Sequence, residues 1–153
     1  MITPEQYLQF TGRALDGMTA IVRDLGDDLA CRRSGLPGVS SPYALLTHCL
    51  GVVDYWAGEL VAGRPAHRDR EAEFTASGPV GPLLERVGRT AAQLARDVAL
   101  ADPRAPLRAE PRPDYFGPPV LDQGGALLHV YEELAQHHGQ MEMLKAVAEQ
   151  EHR

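Results

Sequence analysis

Apolar residues recur at spacings of three and four in four separate stretches of this 153-residue chain, which predicts amphipathic helices. In the first stretch Tyr7, Phe10, Ala14, Met18, Ile21, Val22 and Leu25 form one stripe. Thr3-Pro4-Glu5-Gln6 opens it, with a Thr cap, proline at the first helical position, and Gln6 three residues after the cap. Gly26, then an unperiodic run from Arg32 to Ser40 containing Gly35, Pro37 and Gly38, predicts its end and a connection. Ser41-Pro42 starts a second helix on Leu45, Leu46, Cys49, Val52, Val53, Trp56 and Leu60, and Gly63-Arg64-Pro65 stops it. Residues 64–78 are charged and weakly periodic, a loop with at most a short helical turn.

Pro79 or Pro82 opens a third helix carrying Leu83, Leu84, Val87, Ala91, Leu94, Val98 and Leu100. Six prolines fall in the eighteen residues from Asp102 to Pro119, which excludes both a continuous helix and a central strand. That stretch is a long irregular connection. The last helix should run from about Leu121 to Gln150, a length of about 45 Å at the usual rise. No alternating pattern of a strand survives anywhere, and no internal repeat is present. The predicted fold is all-α: a single domain, residues 1–153, built as a four-helix bundle with a long Pro-rich connection before its last helix.

Composition narrows the partners. Hydrophobic residues at 44% and charged residues at 24% are globular values. A net charge of −6 without a basic cluster argues against nucleic acid and anionic membrane as partners. No apolar run reaches the roughly 20 residues of a membrane span, and Met1 to Phe10 lacks the pattern of a signal peptide. Cys31 and Cys49 have no metal or redox spacing and read as free thiols in a reducing cytoplasm. All the basic residues except Lys145 are Arg, and there is no Asn. No physical demand of a small fold excludes both Lys and Asn, so this bias points to a GC-rich genome.

Six histidines offer chemistry, at 48, 67, 129, 137, 138 and 152. His67 lies in a charged loop and His152 at the terminus, both expected to be solvated. On a wheel of the last helix, His137 lies within roughly 25° of the apolar centre and Glu133 within roughly 65°. His138 falls roughly 75° away on the other flank and His129 roughly 105° away. A Glu and a His four apart share a face and can chelate one ion, or simply hydrogen-bond to each other. His129 stands about 12 Å of rise from His137, too far for both rings to reach one ion easily. A ligand set therefore uses Glu133 with one of the two, and burial favours His137. His48 is the one histidine on another helix, roughly 100° from its apolar centre, which leaves a boundary residue and a ligand both open. Cys49 adjoins it but points elsewhere, into the core. Tyr55 and Trp56 are core aromatics that could also wall a pocket.

Leu45-Leu46-Thr47-His48-Cys49-Leu50-Gly51-Val52, followed by Tyr55-Trp56, resembles the second helix of the DinB-like superfamily. Tyr131-Glu132-Glu133-Leu134-Ala135-Gln136-His137-His138-Gly139-Gln140 resembles its last helix. The nearest branch is the actinobacterial one related to mycothiol-dependent maleylpyruvate isomerase and mycothiol S-transferases, and the resemblance covers nearly the whole chain. It implies a four-helix bundle that binds a divalent metal, with many members dimeric, so a homodimer is the implied assembly. The family's ligand positions fall on His48, Glu133 and His137. Many relatives carry His where Gln140 stands, a departure that bears on contacts around the metal more than on the ligand set. His129, one turn before Glu133, is either a supporting contact or a plain surface histidine.

A His/Glu/His set leaves coordination positions open, as catalytic rather than structural zinc sites do. A divalent metal there, zinc or nickel first among the candidates, can hold a thiol as thiolate or activate water. The resemblance implies a thiol S-transferase or isomerase taking a small electrophile and a low-molecular-weight thiol, with mycothiol as cosubstrate. The Arg-rich composition fits an actinobacterial source, where that thiol would be at hand. A metal-dependent hydrolase and a non-catalytic binding bundle that keeps the fold stay open as alternatives.

Overall fold

The computed structural model describes residues 2–35, 37–112 and 122–151. Helix α1 runs Pro4–Ala30, α2 Pro42–Val53, α3 Arg70–Glu73, α4 Val80–Ala99 and α5 Gln123–Glu151. A π-helical segment, Asp54–Val61, continues α2 without a break. Among the described residues there is no strand, and the chain has the all-α bundle architecture expected from its pattern. The expected solvation of His152, the start of the last helix at Leu121 and the Pro-rich connection from 113 onward lie outside the described residues.

The start signals act as the pattern implies. Thr3 and Gln6 form a reciprocal capping box on α1, and Ser41 Oγ accepts from Ala44 N at 3.2 Å on α2. At the head of α5, Asp122 Oδ1 accepts from Gly125 N at 2.8 Å. The predicted end of α1 at Gly26 is a correction. Gly26 takes a positive φ of 67°, and one more turn follows it to Ala30. That turn persists because Ala30 is buried and Asp27 Oδ1 accepts from Val80 N at 2.8 Å. The donor so satisfied is a free N–H at the start of α4, a helix without a cap of its own.

The four long columns close a bundle. Helix α1 packs on α4 and α5, and the α2–π column packs on the same two from the other side. Helices α4 and α5 do not meet across the bundle among the described residues. The predicted stripes, joined by Leu15 of α1 and by Leu134 and Met141 of α5, fill the space between, with Met18, Leu46, Trp56, Leu60 and Leu94 also nearly sealed from water. Two stripe members stay outside: Leu100 is exposed, and Phe10 meets Tyr131 edge-on at the surface.

Polar ties fix how the columns register. Tyr7 Oη donates to Leu127 O at 2.8 Å, joining α1 to α5. Arg64, just after the π segment, grips Asp97 of α4 through two hydrogen bonds of 3.2 and 2.7 Å. Gly58 makes room for it, since a Cβ there would stand 2.5 Å from the Arg64 guanidinium. Gln123 fastens the described part of the Pro-rich connection onto α5, through Ala105 O, Pro106 O and the Asp102 N–H. No helix among the described residues is long and apolar enough to cross a membrane.

Candidate metal centre

Helix α5 places Glu133 and His137 one turn apart on the side that faces α2, and α2 supplies His48 across the gap. His48 Nε2 lies 3.1 Å from Glu133 Oε2, and His137 Nε2 lies 3.5 Å from the same oxygen. One carboxylate oxygen thus faces two imidazole nitrogens, and the three donor atoms all lie within 4.8 Å of one another. Two ligands at metal–donor bonds near 2.0–2.1 Å stand about 2.9–3.4 Å apart in octahedral or tetrahedral geometry. The two separations from Glu133 Oε2, 3.1 and 3.5 Å, need little contraction to meet that requirement. Two neutral imidazoles and one carboxylate carry a single negative charge, a donor set suited to a divalent first-row ion.

His48, left by its wheel between a boundary residue and a ligand, is buried, with Phe74 stacked on its ring at a centroid distance of 4.4 Å. The ring of His137 stands edge-on to it at 5.1 Å. His137 keeps some access to solvent with 16% of its side chain exposed. The wheel ranked the histidines of α5 differently from the structure. His129, placed farthest from the apolar centre, is more deeply buried than His137, and the reading of it as a surface histidine is corrected. The reason is the width of the buried face: α5 packs on α1 and on the α2–π column together, so a residue on the flank of one stripe is covered by the second neighbour. The ring of His129 meets Trp56 at 4.6 Å, its Nδ1 lies 3.0 Å from Glu132 Oε2, and its Nε2 lies 3.9 Å from Glu133 Oε1.

Both histidines of the cluster are held from behind. Gln140 Oε1 lies 2.9 Å from His137 Nδ1, so the residue at the departure from the family pattern acts as an acceptor for His137. On α3, Glu73 Oε2 lies 2.9 Å from His48 Nδ1. Arg68 grips the same carboxylate, Nε to Oε1 at 2.8 Å and Nη2 to Oε2 at 2.9 Å. Glu73 and Arg68 are the residues that sequence reasoning missed. They fall in the stretch read as a charged loop, and its one helical turn turns a carboxylate inward. The Asp69 side chain caps that turn, accepting from Ala72 N, a signal too common to single out Glu73.

The charges respond accordingly. Hydrogen bonds from His137 and then His48 hold the Glu133 carboxyl far below the usual carboxylate range, against the opposing effect of burial. Burial favours the neutral His48 ring, but the hydrogen bonds to Glu133 and Glu73 outweigh it and raise its pKa. Burial likewise works against the Glu73 charge, and the contacts with His48 and Arg68 overcome it and keep its pKa low. In the protein without metal, His48 thus lies between two carboxylates, Glu73 at Nδ1 and Glu133 at Nε2.

The other candidates fall outside. Cys49 is buried in the core, where burial pushes its thiol pKa well up, and it is not among the clustered donors. Cys31 is half-buried, its Sγ against the backbone of Gly78. His67 is exposed, as expected. His138 points away from the cluster and lies against Gly17 of α1, where a Cβ would collide with its ring. Tyr55 and Trp56 are both core residues, and Tyr55 Oη also accepts from Arg112 N at 2.9 Å.

No curated protein matches the chain. A family model does: that of Mycothiol-S-transferase matches residues 4–150, which takes in α1 to α4, the first 28 residues of α5 and every residue of the cluster. With the helical bundle and the His48, Glu133 and His137 cluster already in place, the conclusion is that this chain belongs to the mycothiol S-transferase family of DinB-like proteins.

Proposed function

We propose that the protein is a metal-dependent S-transferase that joins a low-molecular-weight thiol of the mycothiol type to a small electrophile. His48, Glu133 and His137 are its metal ligands in this reading, with zinc or nickel as the ion. The observation that carries it is the convergence of three donors from two helices in a member of this family. A divalent ion at this set would lower the pKa of a cofactor thiol and hold it as a thiolate at an open coordination position.

The chain's own residues have separable tasks. His48 and His137 present Nε2 to one point because Glu73 and Gln140 occupy their Nδ1 atoms. Glu133 supplies the negative charge between the two rings, already ionised before any ion arrives. Phe74 covers one face of His48, while the partial exposure of His137 and Glu133 leaves a side from which small molecules can approach. The same reading takes the protein as homodimeric on the likeness to the family alone, and as cytoplasmic on its two free thiols.

Elemental analysis of protein purified without a metal-affinity resin, followed by a thiol-consumption assay, tests the proposal. Metal close to one ion per chain and mycothiol consumption with monochlorobimane as electrophile are the expected results. Protein that stays metal-free after incubation with zinc or nickel sinks the enzyme reading in favour of a non-catalytic bundle. Turnover that does not depend on the thiol would instead identify a metal-dependent hydrolase.

A further inference from the structure

Behind His48 sits a carboxylate that no helical stripe accounts for. Glu73 lies 25 residues beyond His48, on a helix of only four residues, and is nonetheless buried. Both of its oxygens are gripped by Arg68, a paired geometry that keeps the carboxylate ionised and therefore able only to accept. Arg68 Nη2 also passes 3.3 Å from His48 Nδ1, but Nδ1 lies nearer to Glu73, at 2.9 Å. An unprotonated Nδ1 would set its lone pair against a charged oxygen. With a proton on Nδ1 for Glu73, Nε2, the nitrogen turned toward Glu133, is the one left to a metal ion.

The seat for this carboxylate is a glycine. A Cβ on Gly51, one turn along α2 from His48, would collide with Glu73 Oε1. Because that oxygen is the tip of a flexible side chain, alanine at 51 would be accommodated by swinging the carboxylate off His48. The helix itself would not suffer, since Ala is favoured over Gly in a helix interior. The loop that carries Arg68 is in turn pinned by Arg112, whose guanidinium donates to Arg68 O at 3.2 Å, Ala66 O at 2.6 Å and Glu59 Oε2 at 3.0 Å.

We propose that Glu73, seated on Gly51 and clamped by Arg68, is a positioning residue that fixes the tautomer and direction of the His48 ring for metal binding through Nε2. It touches neither metal nor substrate, and the inference rests on the metal reading above. Partners of this kind orient a ligand and raise its basicity, and their loss commonly costs 10–100-fold in metal affinity.

The test is zinc affinity by chelator competition, with cobalt(II) absorption and imidazole nitrogen NMR, on wild type, Glu73→Ala, Glu73→Gln, Gly51→Ala and Gly12→Ala. Gly51→Ala keeps every charged group, so it separates positioning from loss of an ion pair, and it serves if Glu73→Ala folds poorly. A Cβ at Gly12 meets nothing within 4 Å, so that variant is the control. Glu73→Ala and Gly51→Ala should each bind zinc about 10–100-fold more weakly, with shifted cobalt bands. Glu73→Gln, which keeps an accepting oxygen, should retain part of the affinity, and Gly12→Ala should match wild type. Zinc-loaded wild type should show the His48 proton on Nδ1 and the metal on Nε2, and Glu73→Ala should show that preference lost. Variants that bind zinc as tightly as wild type with the same cobalt spectrum, even at a lower melting temperature, would make Glu73 a tether for α3 and overturn the inference. Wild type that takes up no metal would overturn the metal reading, and the positioning role with it.

Discussion

Gln140 stands 2.9 Å from His137, its side-chain oxygen against Nδ1, and this contact turns the other ring nitrogen toward Glu133. Since only the oxygen of a neutral amide can accept, Nδ1 of His137 carries the proton. A supporting contact of this kind is made within one helix, three residues on, so it costs no extra ordering of the chain.

Replacing Gln140 by Leu keeps the volume and removes the acceptor. Zinc affinity should fall about 10–100-fold, while Gln140→Glu, which accepts more strongly, should bind at least as tightly as wild type. Titration against a chromogenic chelator measures both.

The two neighbouring histidines of α5 should separate cleanly. His137→Ala removes a donor from the cluster and should abolish tight metal binding. His138→Ala removes a ring that packs on Gly17 instead, and should leave affinity unchanged at a modest loss of stability. Equal losses of affinity in the two variants would refute the assignment of faces.

The Arg64–Asp97 pair predicts an asymmetry. Asp97 is 2% exposed at its side chain, whereas Arg64 is 37% exposed. Arg64→Met strands a buried carboxylate with Gln93 as its remaining donor, and should cost about 2–3 kcal/mol. In Asp97→Asn the freed guanidinium can turn to water, so the cost should be nearer 1 kcal/mol. Thermal melts should show the first variant several degrees below the second.

Tyr7 gives a pH-dependent signature. Burial raises its phenol far above the ordinary value of 10.0, and the hydroxyl donates to Leu127 O. A raised pKa in the folded state means that the stability from this group is intact below pH 10 and is lost as pH rises from there toward the folded value, because only the unfolded chain ionises. Tyr7→Phe should therefore be about 1 kcal/mol less stable than wild type at neutral pH. That deficit should shrink steadily in denaturant melts taken above pH 10.

Much of the molecule is legible along the chain. Tyr7, Met18 and Val22 on α1, or Val130, Leu134 and Met141 on α5, repeat at helical spacing and are buried together, because a helix converts that spacing into one face. Thr3, Ser41 and the prolines after them mark helix starts through contacts made within a few residues. Glu133 and His137 are legible for the same reason: a separation of four residues is a distance in space once the helix is granted. The last turn of α1 and the burial of His129 are not, since each depends on which neighbours cover the helix, and no spacing along the chain marks the π winding of Asp54–Val61.

By itself, then, the sequence determined which segments are helices, where most of them start, and that one of them carries a Glu and a His on a shared face. Only the tertiary structure decided that His48 meets that pair, that Gln140 and Glu73 hold the two rings from behind, and that Gly51 leaves space for a carboxylate. The division has a physical cause. Contacts within a helix follow from a fixed rise and turn per residue, whereas the contact of Glu73 with His48 depends on how a charged loop closes over α2, and no periodicity along the chain encodes that.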